Sequence, residues 1–153
     1  MMRWLECRIP PPLVGLACAA LMAALAWWRG GWPPPAAVLW PLWLLLALAV
    51  LLDGSAVLAF VRQHTTVNPL TPQNSSTLVV SGFYRVSRNP MYLGMLCLLL
   101  AWAWWLQQWP ALLGPLLFVL WLNRFQIAPE ERALATRFGE DYAAYCRRVR
   151  RWC

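Results

Sequence analysis

Lysine is absent from the 153 residues, histidine occurs once, at His64, and only 12% of residues are charged. A soluble domain usually has about 25% charged residues, so this chain has too few to coat itself in water. The five cysteines, Cys7, Cys18, Cys97, Cys146 and Cys153, are odd in number and contain no Cys-x-x-Cys. With a lone histidine they offer neither a disulfide framework nor a zinc site. No Gly-x-Gly-x-x-Gly follows a strand-like run, which argues against a dinucleotide-binding α/β domain. What is abundant is apolar: 61% hydrophobic residues, twelve tryptophans and a mean hydropathy of +0.49. The composition is that of an integral membrane protein.

All thirteen basic residues are arginine, and six acids leave a net charge of +7. In a soluble protein such an excess points to nucleic acid. Here the arginines flank apolar runs, the arrangement of the positive-inside rule. The first run, Leu13–Trp28, follows Pro10-Pro11-Pro12 and ends at Arg29-Gly30-Gly31. Its length barely spans a hydrocarbon core of roughly 30 Å. A signal peptide with Arg3 and Arg8 as its basic region is the rival reading. The closing Trp27-Trp28-Arg29 is unlike a cleavage site and favours a retained helix.

A second run, from Ala36 to Val61, begins after Pro33-Pro34-Pro35 and is interrupted only by Asp53-Gly54-Ser55. Arg62–Asn89 is polar, with the loop chemistry of Asn74-Ser75-Ser76. From Pro90 to Asn123 there is no charge, and Gln107-Gln108 with Pro110 divides that stretch into Met91–Leu106 and Ala111–Leu122. Both halves are short, which predicts a tight helical hairpin. The last thirty residues are polar, and Leu134, Phe138, Tyr142 and Tyr145 recur near one helical face. The expectation is an all-α membrane bundle of about four transmembrane segments plus a C-terminal cytoplasmic helix. The arginine distribution places both termini in the cytoplasm, with the two long polar segments on the same side. The chain reads as one membrane-embedded domain, 1–153.

Polar groups gathered at one face of an apolar bundle suit a site that joins a water-soluble cofactor to a lipophilic substrate. The central loop ends Leu78-Val79-Val80-Ser81-Gly82-Phe83-Tyr84-Arg85-Val86-Ser87-Arg88-Asn89-Pro90-Met91-Tyr92-Leu93-Gly94. Gly82 allows a tight turn. Pro90 suits a helix start, with Asn89 as a candidate N-cap, and the free N–H groups there favour an anionic acceptor. This segment resembles the signature of the isoprenylcysteine carboxyl methyltransferase and phospholipid methyltransferase superfamily, Leu-Val-x-x-Gly-x-Tyr-x-x-x-Arg-(His/Asn)-Pro-x-Tyr-x-Gly. The likeness continues in Pro129-Glu130-Glu131-x-x-Leu134, Phe138-Gly139-x-x-Tyr142-x-x-Tyr145 and Val149-Arg150-Arg151-Trp152, with His64-Thr65-Thr66-Val67-Asn68-Pro69 upstream. It covers roughly residues 62–152, and two motif blocks stand in order around the hairpin.

The resemblance implies a membrane-embedded methyltransferase using S-adenosyl-L-methionine without a Rossmann domain. By residue-for-residue carry-over it implies cofactor contacts at Ser76, Thr77, Leu78, Val79, Tyr84, Asn89, Pro90, Met91, Tyr92 and Glu130. Arg88, Arg124 and Glu130 are the implied catalytic residues, with Arg124 facing substrate. The chemistry of the cofactor fits: Arg88 and the helix start suit its carboxylate, Glu130 its ammonium or ribose, and the tyrosines its adenine or sulfonium. Methyl transfer needs alignment and the exclusion of water. The motif holds no obvious base, which favours a prenylcysteine-like carboxylate acceptor, already ionised at neutral pH. A phospholipid or lipid amine is the alternative acceptor, and a non-enzymatic packing or partner-binding protein the alternative class. Asparagine at 89, where some members carry histidine, can donate and accept hydrogen bonds but does not titrate. No metal is implied. Asp53, charged within an apolar run, is a functional candidate by default; its place near the end of the span also suits a structural residue satisfied by Arg62 or water.

Overall fold

The computed structural model describes residues 5–30, 39–62 and 77–153. Among them are five α-helices and no strand: α1 (Pro11–Trp28), α2 (Trp40–Arg62), α3 (Pro90–Leu106), α4 (Leu113–Trp121) and α5 (Ala128–Arg148). Three helical stretches are long and apolar enough to cross a membrane: Pro11–Trp28, Trp40–Ala59 and Trp109–Arg148, the last kinked at Gly139 (φ 49°). α3, with 17 residues, is slightly shorter. The bundle is apolar outside as well as in. Leu16, Trp43, Val50 and Leu116 are all more than half exposed, the surface expected of helices solvated by lipid.

Local sequence explains most of the boundaries. Proline occupies the first helical turn of α1 and α3, where its missing N–H costs little. α3 stops at Gln107, which takes a left-handed conformation (φ 50°), and a 3₁₀ turn at Trp109–Leu112 starts the return into α4. This is the hairpin that the Gln107-Gln108 break predicts. α1 packs against both arms: Cys18, Met22 and Ala26 are buried, and a Cβ on Gly114 of α4 would overlap Met22. Trp102 of α3 donates its indole N–H to the Ala19 carbonyl of α1 at 3.1 Å. α2 packs chiefly on α3, through Ala49, Leu52, Ala56 and Ala59.

The C-terminal part differs from the expectation in one respect. The helix expected beyond Leu122 is present, but no loop separates it from the fourth span. A π-helical segment, Leu122–Ile127, joins α4 to α5 without a break, although Pro129 follows. A proline removes the N–H that would bond the carbonyl four residues back, and a π turn relieves the clash of its ring with that carbonyl. The carbonyl in question, Phe125 O, accepts instead from the Cys7 N–H at 3.0 Å. The N-terminal segment is thus tied to the start of α5, and Glu6 reinforces it with ion pairs to Arg132 (2.5 Å) and Arg124 (3.4 Å). The apolar part of the run ends at Asn123, so Glu130 and all that follows lie beyond the span.

Candidate functional site

The loop from Thr77 to Asn89, the start of α3, the start of α5 and the C-terminal segment meet at one end of the bundle. Gly82 (φ 61°) turns the chain into a short 3₁₀ helix, Gly82–Arg85. Tyr84 is buried there with Val79, against Ala56 and Ala59 of α2, and Met91 of α3 packs on the same cluster. The Tyr84 carbonyl accepts from the Tyr145 hydroxyl of α5 at 2.7 Å. Tyr142, Tyr145 and Val149 form a buried cluster with Leu78, Leu134, Phe138 and Cys146 around them. The helical face read from Leu134, Phe138, Tyr142 and Tyr145 therefore packs on the signature loop, not on lipid. Burial pushes the Tyr142 and Tyr145 hydroxyls well above the usual tyrosine range, so both stay neutral donors.

The C-terminal segment closes the other side. Ser87 pairs with Arg150 in an isolated parallel bridge, and the Arg88 N–H donates to the Arg150 carbonyl at 3.0 Å. Asn89 stands at the N-cap position of α3, but its side chain makes no cap bond. Its amide instead donates to the Arg151 carbonyl at 2.9 Å, which corrects the reading of Asn89 as a side-chain cap. Trp152 donates to Asn123 Oδ1 at 3.0 Å, anchoring the chain end to the π segment.

Two adjacent acids organise the polar centre. Glu130 accepts on the same oxygen, Oε1, from the Tyr92 hydroxyl at 2.7 Å and from the Gln126 amide at 2.5 Å. Oε2 takes neither bond. Burial pushes the Glu130 carboxyl up to about 7, against the two hydrogen bonds that lower it and with the neighbouring Glu131 adding to the rise. Glu131 binds two guanidiniums: Arg88 at 3.2 Å and Arg151 through a pair of bonds at 3.0 and 2.5 Å. Arg88 also donates to Cys146 Sγ at 2.6 Å, and its Nε is buried with no partner among the described residues.

The structure therefore brings together Leu78, Val79, Tyr84, Arg88, Asn89, Pro90, Met91, Tyr92 and Glu130 at one end of the bundle. Thr77 is exposed at the edge of the described loop, and Ser76 and His64 lie outside the described residues. Arg124 is not drawn into the Arg88–Glu131 cluster. It pairs with Glu6, and its guanidinium lies 5.3 Å over the Phe125 ring. Gln126, Glu131 and Arg151 belong to the polar centre although the sequence did not mark them as site residues. The signal for Glu131 was its place beside Glu130 in a first helical turn, and that for Gln126 its spacing of four from Glu130 on one helix face. Among the described residues no group of three or more His, Cys, Asp or Glu side chains is arranged to hold a metal.

The family model for phospholipid methyltransferases matches residues 40–141. A protein of Haemophilus influenzae described as uncharacterized is 50% identical over 62 residues, 40% of this chain and 98% of that protein. No solved structure matches the chain.

Proposed function

The chain belongs to the phospholipid methyltransferase family, part of the isoprenylcysteine carboxyl methyltransferase-like superfamily, and is a membrane methyltransferase; from that premise we propose that it moves a methyl group from S-adenosyl-L-methionine to a lipophilic acceptor drawn from the bilayer. Use of this cofactor is general in the family. The observation that carries the reading is the meeting of the two motif blocks, 38 residues apart in sequence at the Tyr92–Glu130 bond, in one polar centre at the end of an apolar bundle.

The residues fit the cofactor on three counts. The N-terminus of α3 has no side-chain cap, which leaves N–H groups of its first turn for a carboxylate. Arg88 beside it keeps a buried Nε without a partner. Glu130, with Tyr92 and Gln126 fixing one oxygen, presents the other to a cation or a hydroxyl. When bound, the cofactor supplies an electrophilic methyl on a sulfonium. The chain's own residues hold and orient: Arg88 and the α3 start take the carboxylate, Glu130 the ammonium or ribose, and Tyr84, Met91 and Val79 wall the pocket toward α2 and exclude water. Arg124 stands on the side of the N-terminal segment, where it would meet an acceptor's head group rather than the cofactor.

For the acceptor, Glu130 is assigned to the cofactor and Arg88 is a cation, which leaves the motif residues without an assigned base and supports a prenylcysteine-like carboxylate. A lipid amine is the second reading, supported by the family's description. The arginine pattern supports a cytoplasmic site with both chain ends on that side. The test is transfer of labelled methyl from S-adenosyl-L-methionine into solvent-extractable lipid by membranes containing the protein. Label in lipid, lost in Tyr92→Ala, is expected; extracts no different from membranes without the protein would reject the proposal.

A further inference from the structure

α1 and α4 leave a groove between them, with a volume of about 520 Å³, within the roughly 300–1,000 Å³ of small-ligand sites. Leu13 and Leu21 of α1 and Leu117 and Leu120 of α4 are its exposed walls, and Cys18 is its buried floor. From Leu13 to Leu21 is about 12 Å of helix rise, most of one leaflet of a hydrocarbon core roughly 30 Å thick. Every residue lining the groove is apolar, and among the described residues none comes from α2 or the signature loop. The groove is therefore separate from the proposed cofactor pocket, whose wall is built on α2.

At one end the groove meets charge. Ile9 and Phe125 line that end, and each is preceded in sequence by an exposed arginine, Arg8 and Arg124. The two segments are held together there, since the Cys7 N–H donates to the Phe125 carbonyl at 3.0 Å. Glu6 makes its shorter bond, 2.5 Å, to Arg132 and reaches Arg124 only at 3.4 Å, leaving 48% of the Arg124 side chain exposed. Arg8 pairs with no acid among the described residues. One carboxylate thus serves a corner that holds three arginines. Basic residues at the membrane face, beside a cleft between spanning helices, select anionic head groups, and guanidinium matches phosphate in shape as well as charge.

We propose that this groove is the site of a resident anionic phospholipid, with one acyl chain lying between α1 and α4 and the phosphate held by Arg8 and Arg124. The lipid is a bound component and not the methyl acceptor, so the inference does not rest on the methyltransferase reading. Arg124 borders both the groove and the acceptor's approach, whereas Arg8 belongs to the groove alone. A zwitterionic head group would bring a cation of its own against the two arginines; a net negative one brings none. Glu6 competes for Arg124, and the phosphate replaces it there while Glu6 keeps Arg132. The bound lipid then fastens the N-terminal segment to the π segment, from which Gln126 reaches Glu130.

The test is equilibrium binding of short-chain phosphatidylglycerol, and of phosphatidylcholine with the same chains, to the protein in detergent, with glycerol phosphate as the head group alone. The parent is expected to prefer phosphatidylglycerol by about tenfold or more, the scale of one charge-assisted hydrogen bond, and to bind glycerol phosphate far more weakly than the lipid. Arg8→Gln combined with Arg124→Gln should lose the preference and keep the binding of phosphatidylcholine. Leu120→Trp, which fills the groove from its exposed wall, should weaken both lipids alike. Glu6→Gln frees Arg124 and should tighten phosphatidylglycerol severalfold, a gain that a misfolded variant cannot give. Equal binding of the two lipids by the parent, glycerol phosphate held as tightly as the lipid, a preference that survives loss of both arginines, undiminished binding in Leu120→Trp, or no gain in Glu6→Gln would each overturn the proposal. A dimer of the parent in light scattering that Leu120→Trp dissolves would give the groove to a second copy of the chain and overturn it as well.

Discussion

Replacing Glu131 by glutamine keeps the shape of the side chain and removes the charge that holds two arginines. Glu131 and Arg88 have 20% and 16% of their side-chain surface exposed, and Arg151 has 39%. Breaking a fully buried pair costs about 3–5 kcal/mol, whereas exposed pairs are worth about 0–1 kcal/mol. The Glu131 cluster lies between these limits, since one guanidinium is well shielded and the other half-open. We expect a loss of about 2–3 kcal/mol, because Arg88 would keep only the Cys146 thiol as a side-chain partner and the bidentate tie to the C-terminal segment would weaken. For a chain of this length that corresponds to a fall in Tm of roughly 4–12 °C. Arg132→Ala is the control. Its partner Glu6 sits at the same end of the bundle, but Arg132 is 52% exposed, and about 1 kcal/mol or less is expected. Thermal unfolding of both variants in one detergent, followed by intrinsic tryptophan fluorescence, makes the comparison. An Asp- or Glu-independent packing of the C-terminal segment would show as a Glu131→Gln shift no larger than that of Arg132→Ala, and would refute the reasoning.

Tyr145→Phe removes the bond to the Tyr84 carbonyl and leaves a buried acceptor unmade; a loss of about 1–3 kcal/mol is expected in the same unfolding assay, with no change for an exposed hydroxyl control at Thr136. Glu130 has its carboxyl raised from the ordinary 4.5 to about 7, so the native state holds this proton more tightly than the unfolded chain. Stability should therefore fall as pH rises from about 4.5 to about 7 and level off above, with the dependence flattened in Glu130→Gln. The ionised form is the one that binds a cation, so affinity for S-adenosyl-L-methionine should rise through the same window. Cys153 is exposed at the chain end, and a membrane-impermeant maleimide should label it in inverted but not in right-side-out vesicles, if the arginine pattern sets the orientation.

Much of the architecture is written in residues that act locally. Proline at the starts of α1 and α3, the Gln107-Gln108 break, the glycine turn at Gly82 and the spacing of Leu134, Phe138, Tyr142 and Tyr145 each dictate structure over a few neighbours, and each predicts what is seen. The departures arise where a distant partner outcompetes a local rule. The Asn89 side chain is drawn from capping α3 to the Arg151 carbonyl, 62 residues away. Pro129 follows an uninterrupted helix because the π segment adjusts the register and Cys7, from the other end of the chain, uses the orphaned Phe125 carbonyl. Arg124 turns toward Glu6, 118 residues earlier. None of these pairings leaves a periodicity or a motif in the sequence. At the candidate site the motif blocks announced Tyr92, Arg88 and Glu130. They were silent on Gln126, and Glu131 was equally readable as a solvated acid at a helix start. The place of Asp53, whose carboxyl lies where a Cβ on Gly94 would stand, is visible only once α2 is seen to pack on α3.

The central claim is that the polar centre around Glu130 binds a methyl-donor cofactor, and calorimetric titration of S-adenosyl-L-methionine and of its demethylated product into the detergent-purified protein tests it most directly. Saturable binding of both compounds is expected, at least about tenfold weaker in Glu130→Gln while that variant stays folded. A folded parent protein that takes up neither compound, or a Glu130→Gln variant that binds them as the parent does, would contradict it.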